Sequence, residues 1–358
     1  MRPPALALLA LLATGCLRPA EEQVELDRTV GHAEHPTAAI RVADGLAAIE
    51  ALDAGRLDLW IGAPAIDATL TVRDGAPRTW TLTARNTLAD AALTLDGAPA
   101  PEPERPLPTE ATWTLDLPPG RHTLRLAPPD LDAAAPWRFA VLSDVQRAIG
   151  EIDDITRLLA REDDVRFLVS AGDLTDRGER DEYRRFREEM RAVPYPFYAT
   201  PGNHERGDDA RNWTDFLGRA NYTFTFRDTR FSFIDSSFGT VDPTVYDWLD
   251  DWLAAGRGAP HVVVTHIPIM DPVGLRGGQF RSRKEAGKLL VRLARAEVDL
   301  ALFGHVHSYY AFSLAGIPAY ISGGGGALPE RLDGIGRHYL VVEVAPGAIE
   351  GARLVRVD

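Results

Sequence analysis

Between residues 137 and 344, short apolar runs each stop abruptly at a polar motif, and amphipathic stretches separate them. The runs are residues 139–142, 167–169, 197–199, 262–264 and 300–303, rich in Val, Leu and Phe and bounded by Gly or polar residues, which predicts buried strands. Between them, Ile152/Ile155/Leu158/Leu159, Tyr183/Phe186/Met190, Val245/Trp248/Leu249/Trp252 and Ala286/Leu289/Leu290/Leu293 keep helical spacing, so these stripes are core faces of helices. Strands alternating with helices build an α/β sheet, and such sheets place their ligands at the carboxyl ends of the strands. Asp173, delivered by FLVSAGD at the end of one such run, is therefore a candidate for a carboxylate shared by two cations. A lone Gly-Asp pair is more often a turn or a helix cap.

Four more motifs change that balance, each following an apolar run: Ser143-Asp144-Val145-Gln146, Gly202-Asn203-His204-Glu205, Thr265-His266-Ile267-Pro268 and Gly304-His305-Val306-His307. With Gly172-Asp173 they form an ordered set that resembles the calcineurin-like metallophosphoesterase family over about residues 138–344. One departure stands out: Gln146 occupies a position where most of that family carries His.

The resemblance implies a four-layer α/β/β/α sandwich with the site at the strand ends between two sheets. It implies Asp144, Gln146, Asp173 and His307 on a first metal ion, and Asp173, Asn203, His266 and His305 on a second. His204 resembles the family's general acid. The resemblance also offers Gly323, Gly324 and His338 as weak substrate-side candidates. Arg206 could orient substrate oxygens, although a solvated Arg after a motif is commoner. Carboxylates, imidazoles and neutral amide oxygens suit Mn²⁺, Fe or Zn²⁺ rather than copper. Two close cations lower the pKa of a water and stabilise a phosphoryl group under attack. The Gly323–Gly326 run lets backbone approach either a ligand or another chain segment, and it lacks the Lys-Ser/Thr ending of a P-loop. No Gly-x-Ser-x-Gly occurs, so serine-hydrolase chemistry has no starting point.

The amino end reads differently. Residues 1–16, MRPPALALLALLATGC, have one Arg, an apolar stretch and small residues before a cysteine, the layout of a cleaved signal. Ala13-Thr14-Gly15-Cys16 looks like a bacterial lipobox, which makes Cys16 a lipidation site; an ordinary secretory signal is the alternative. Cys16 is the only cysteine, so thiolate ligation and intramolecular disulfides are excluded. Residues 17–35 are polar and without period, and read as a tether. Residues 36–135 alternate with period two at Leu57/Leu59/Ile61, Leu70/Val72, Trp80/Leu82/Ala84, Leu93/Leu95, Trp113/Leu115/Leu117 and Leu124/Leu126, which predicts a small all-β sandwich, immunoglobulin-like in architecture. Its Pro-rich residues 99–108 are expected to form an exposed loop, and the domain serves as packing or spacer unless it binds a carbohydrate or protein. Residues 136–358 form the metallophosphoesterase domain, with residues 221–235 read as a hairpin insertion.

Of 358 residues, 39 are Lys or Arg and 52 Asp or Glu, a formal balance of −13 that disfavours a nucleic-acid backbone as main partner. It leaves room for a small phosphorylated substrate held by bound cations. The expectation is a binuclear-metal-dependent phosphoesterase acting on phosphomonoesters or phosphodiesters in the bacterial cell envelope, attached to the membrane through lipid alone. The alternative is a non-catalytic binding module that keeps the same fold.

Overall fold

The computed structural model describes residues 19–207, 209–274, 277–331 and 335–357. The signal-like residues 1–16 and Cys16 lie outside them. No helix among the described residues is long and apolar enough to cross a membrane.

Residues 32–127 fold into two packed sheets built from β1 (His32–His35), β2 (Ala38–Val42), β3 (Ala47–Asp53), β4 (Arg56–Ile61), β5 (Ile66–Val72), β6 (Thr79–Arg85), β7 (Ala92–Leu95), β8 (Ala98–Pro99), β9 (Glu104–Leu107), β10 (Glu110–Asp116) and β11 (Gly120–Ala127). One sheet runs β1-β2-β5-β11-β7-β8 and the other β3-β4-β6-β10-β9. Alternation decides which side chains face inward: Leu57, Leu70, Trp80, Trp113 and Leu124 are buried between the sheets. At the Asp96-Gly97 turn both residues have positive φ, 51° and 81°, which fits the right-handed twist of the hairpin β7–β8.

The remainder is four-layered. Its strands are β12 (Trp137–Val141), β13 (Val165–Ser170), β14 (Phe197–Ala199), β15 (Tyr222–Phe226), β16 (Thr229–Ile234), β17 (His261–Thr265), β18 (Leu300–Phe303), β19 (Tyr309–Leu314), β20 (Ile317–Ser322), β21 (His338–Ala345) and β22 (Ala348–Arg356). They form a sheet β14-β13-β12-β21-β22 facing a sheet β15-β16-β17-β18-β20-β19. Trp137, Phe139, Phe167, Phe226 and Phe231 interlock between them at ring separations of 4.9–6.2 Å. Preceding the sandwich is α1 (Pro19–Thr29); α2 (Asp153–Leu159), α3 (Arg180–Met190) and α4 (Arg211–Leu217) cover the outer face of the first sheet, and α5 (Pro243–Ala255) and α6 (Arg283–Arg295) cover that of the second. The helix starts are specified locally. Asp242 caps α5 at Thr244 N with Pro243 following it, and Ser282 caps α6 at Glu285 N.

Three expectations need correction. The 17–35 tether contains α1 and β1, and α1 is docked: Val24 is buried in the core and the buried Asp27 accepts bonds from Ala220 N and Asn221 N. Polar composition hid this because two of the residues that α1 buries, Gln23 and Asp27, are themselves polar. Residues 99–108 contain β9, an edge strand on which Pro106 is tolerated. Residues 221–235 are no insertion: Arg227 and Asp228 make the turn, but β16 pairs in parallel with β17 and is integral to the sheet.

The two halves are pinned together by Asn86, whose Nδ2 donates to Ile61 O (2.7 Å) and Phe197 O (2.8 Å) while its Oδ1 accepts from Phe197 N (2.9 Å). Arg187 adds a bond to Glu50 at 2.6 Å and stacks 3.6 Å over Trp60.

Candidate metal centre

β12, β13 and β14 run in parallel in one sheet, and β16, β17 and β18 in the other. Five of these strands deliver Asp144, Asp173, Asn203, His266 and His305 to one edge of the sandwich. Leaving the strands sharply requires unusual backbone: Asp144, Gln146, Asp173 and His305 all have φ between 49° and 68°. Non-glycine residues held in that region are strained and need surrounding structure to hold them. Asp144 N bonds Gly172 O, Gln146 N bonds Asp173 O, and His305 N donates to both carboxylate oxygens of Asp144 at 3.0 and 3.1 Å.

These residues converge on two overlapping groups of ligating atoms. Asp173, His266 and His305 form one; Asp144, Asp173 and His307 form the other, each with all its atoms within 4.8 Å of one another. Asp173 alone belongs to both. Asn203 Oδ1 lies 3.2 Å from His266 Nε2, and Gln146 Nε2 lies 2.9 Å from Asp173 Oδ2 and 3.2 Å from His307 Nε2. A ligand role for Gln146 would need its amide turned by half a revolution to present the oxygen.

The imidazoles are aimed from behind. His266 donates from Nδ1 to Ala171 O, and His307 from Nδ1 to Leu328 O, each at 2.8 Å, which fixes the tautomer and leaves Nε2 toward the cluster. His204 is held likewise, Nδ1 donating to Asp176 O at 2.7 Å, with Nε2 standing 4.0 Å from Asp173.

The electrostatics ask for positive charge. Asp144, Asp173, Glu205 and Asp235 are each at most 6% exposed and close to His266. Burial pushes the Asp144 and Asp235 carboxyls up, and burial with the Asp173 charge lifts Glu205 to about 7. Burial alone would neutralise His266, but Asp173 and Asp144 overrule it and hold its pKa at about 9; the same pairing outweighs burial at Asp173 and lowers it. A clustered set of buried carboxylates served by one imidazolium is a set that divalent cations can satisfy.

Sequence reasoning gave no role to Glu205, although it ends the Gly202-Asn203-His204-Glu205 motif. Its carboxylate accepts from Asp173 N, Gly202 N, Thr175 N and Thr175 Oγ1 at 2.7–2.9 Å, tying the Gly172-Asp173 and Gly202–Glu205 loops together. A Cβ on Gly202 would sit 2.1 Å from Asp173 Oδ1, so only glycine lets these loops touch. Asp176 was likewise visible in the sequence but its carbonyl's hold on His204 was not.

The weaker candidates fall elsewhere. His338 is fully buried and packs under Gly324, where a Cβ would meet its Nδ1 at 2.2 Å. Gly323 lies against Val306 O, and Gly325 N bonds Ser143 O. The run's close approach is to the loops that carry Asp144 and His307, with His338 packed beneath Gly324. Arg206 sits at the edge, exposed, over the Phe238 ring at 4.5 Å.

A two-sheet sandwich with carboxylates and imidazoles gathered at its strand ends presents a donor set that divalent cations fit. Residues 138–309 match the family model described as calcineurin-like phosphoesterase. Two relatives are a probable glycerophosphodiester phosphodiesterase of Arcobacter nitrofigilis, 35% identical over 158 residues (39% of this chain), and a 3′,5′-cyclic-nucleotide phosphodiesterase of Nostoc sp., 25% identical over 155 residues (40% of this chain). The chain spans 56% of the length of each. The structure of a purple acid phosphatase from yellow lupin seeds superposes with a TM-score of 0.51 at 15% identity, covering 82% of this chain and 72% of that one, which speaks to the fold alone.

Proposed function

We propose that the chain is a binuclear-metal-dependent phosphodiesterase. The observation that carries this reading is the position of Asp173 in both groups of ligating atoms, since one carboxylate serving two neighbouring cations is what a two-metal hydrolase requires. Support for diesters in particular comes from the two relatives, both phosphodiesterases by name.

Asp144, Gln146, Asp173 and His307 would hold one cation, and Asp173, Asn203, His266 and His305 the other. The cations would supply Lewis-acid stabilisation of the phosphoryl oxygens and a water of lowered pKa. The chain's own part is positional and protonic. The Nδ1 bonds of His266 and His307 keep both rings aimed inward, and Glu205 clamps the loops that carry Asp173 and Asn203. His204, with Nδ1 engaged by Asp176 O and Nε2 toward the cluster, can hand a proton to a departing alkoxide from Nε2. The first set would join two carboxylates and one imidazole with the Gln146 amide in place of a second imidazole, an oxygen-rich set that favours Mn²⁺ over Zn²⁺.

A non-catalytic binding module is the second reading, and one observation favours it: Gln146 meets Asp173 through its amide nitrogen. The aimed Nε2 of His204 weighs against it, because a site that only binds has no use for a proton donor there.

We further place the protein in the bacterial cell envelope, lipid-anchored through Cys16, on the layout of residues 1–16. Assay of diesters and monoesters with Mn²⁺, Fe²⁺ or Zn²⁺ after chelation tests the enzymatic reading; no turnover with any of them would leave the binding module.

A further inference from the structure

A cleft of about 830 Å³ opens beside the metal centre, with Asn203, Arg206, Asp235 and Phe238 on one wall and Gln23 and Leu26 of α1 on the other. Asn203 is one of the candidate ligands, so the cleft begins where a phosphoryl group would sit. Its volume lies at the upper end for small-molecule sites and far exceeds what a phosphate alone occupies. Apolar Leu26, Trp213 and Phe238 share the lining with charged Arg206, Asp209 and Asp235, which offers ring contact together with hydrogen-bond partners to an organic group that bears hydroxyls.

The α1 wall is a fixed one. Terminal helices usually fray unless tied down. Here Asp27 accepts from Ala220 N (2.8 Å), Asn221 N (3.0 Å), Asn221 Nδ2 (2.9 Å) and Gln23 Nε2 (3.2 Å). Asn221 Oδ1 in turn accepts from Asp235 N at 2.8 Å. One continuous hydrogen-bonded chain therefore links the helix that forms one wall to the acidic residue of the opposite wall.

We infer that α1 is a specificity element of the site, closing the cleft around the second ester arm of a phosphodiester, an arm that is bulky and hydroxylated, of nucleoside size. The inference rests on the phosphodiesterase reading and adds what neither metal ligands nor family motifs specify. A monoester has no such arm and a methyl ester a minimal one, so α1 acts on selectivity among diesters.

The test uses thymidine 5′-(p-nitrophenyl) phosphate and methyl p-nitrophenyl phosphate, which share a leaving group and differ only in the retained arm. Leu26→Trp fills the cleft from a half-buried position, and Glu22→Trp, one turn earlier on an exposed position of the same wall, repeats the test where folding is least at risk. The wild type is expected to prefer the thymidine ester in kcat/KM, and either variant to reduce that preference at least tenfold. A parallel loss on both esters, as a merely structural role would give, or an unchanged ratio in both variants overturns the inference. Calorimetric titration of the same metal-reconstituted proteins with thymidine 5′-monophosphate and with inorganic phosphate reads the arm without turnover. Tighter binding of the nucleotide, abolished in Leu26→Trp, supports the wall even where no ester is hydrolysed, an outcome that removes the esterase reading alone. Equal affinity for nucleotide and phosphate in the wild type overturns the wall whatever the turnover.

Discussion

Gln146 donates its side-chain amide to Asp173 across 2.9 Å, and the same nitrogen stands 3.2 Å from His307. The only residue that departs from the family's ligand pattern thus lies in contact with the carboxylate shared by both groups. Turned about, its oxygen would give one cation an oxygen-rich set, and oxygen donors favour Mn²⁺ over Zn²⁺. Mn²⁺ should therefore support higher activity than Zn²⁺, and Gln146→His should narrow or reverse that order with the fold kept. A single bound ion in wild type that becomes two only in Gln146→His would show that Gln146 is no ligand.

His204→Ala should cost more with poor leaving groups than with good ones. Alkyl phosphodiesters, whose alkoxide must be protonated as it leaves, should lose about 10²–10⁴-fold in kcat, while p-nitrophenyl esters lose much less. Equal losses on the two would make His204 a positioning residue held by Asp176.

Asp27 gives the fold a pH signature. Burial raises its carboxyl from 3.8 to about 6, outweighing the charge of Arg219 and its hydrogen bonds. The folded state thus holds the proton more tightly than the unfolded chain. The resulting stability is full below about pH 4 and lost as pH rises through about 6, by roughly 3 kcal/mol in all. Denaturant unfolding of wild type and Asp27→Asn across pH 4–7 should show the wild type losing ground to the variant by about that amount. A difference flat with pH would mean that Asp27 is ionised in the fold throughout.

Asn86→Ala should destabilise on the order of 3 kcal/mol, because it strands Ile61 O, Phe197 O and Phe197 N, which Asn86 satisfies from a left-handed backbone position. Replacement by Ala adds strain at φ 62°. A loss under 1 kcal/mol in chemical denaturation would show that the halves are held mainly by Arg187 and its neighbours.

Cys16→Ser should release the protein from the membrane fraction or leave it unprocessed. Unchanged fractionation and processing would end the lipid-anchor proposal and leave the metal centre untouched.

Much of this was legible because the relevant information is local. An apolar run that stops at Gly-Asp, Gly-Asn-His or Gly-His-x-His announces both a strand end and a donor, and α3, α5 and α6 declare themselves by their buried stripes. What escaped depends on neighbours distant in sequence. The docking of α1 rests on Asp27 meeting Asn221, 194 positions away, through polar groups that read as a solvated linker. The glycine run after Ile321 is spaced by the Ser143 and Val306 carbonyls, so whether it faced a ligand or the chain was not decidable from its composition. The left-handed backbone at Asp144, Gln146, Asp173 and His305 leaves a weak mark in residue type, since Asp and His enter that conformation more readily than most side chains but mostly occur outside it.

The central claim is that Asp173 is shared by two cations, and metal stoichiometry coupled to diester turnover tests it most directly. Wild-type protein stripped by chelation and reconstituted with Mn²⁺ should bind two ions per chain and hydrolyse bis(p-nitrophenyl) phosphate, and Asp173→Asn should bind at most one and lose turnover by several orders of magnitude. No bound transition metal after reconstitution, or turnover that survives chelation or Asp173→Asn, would contradict it.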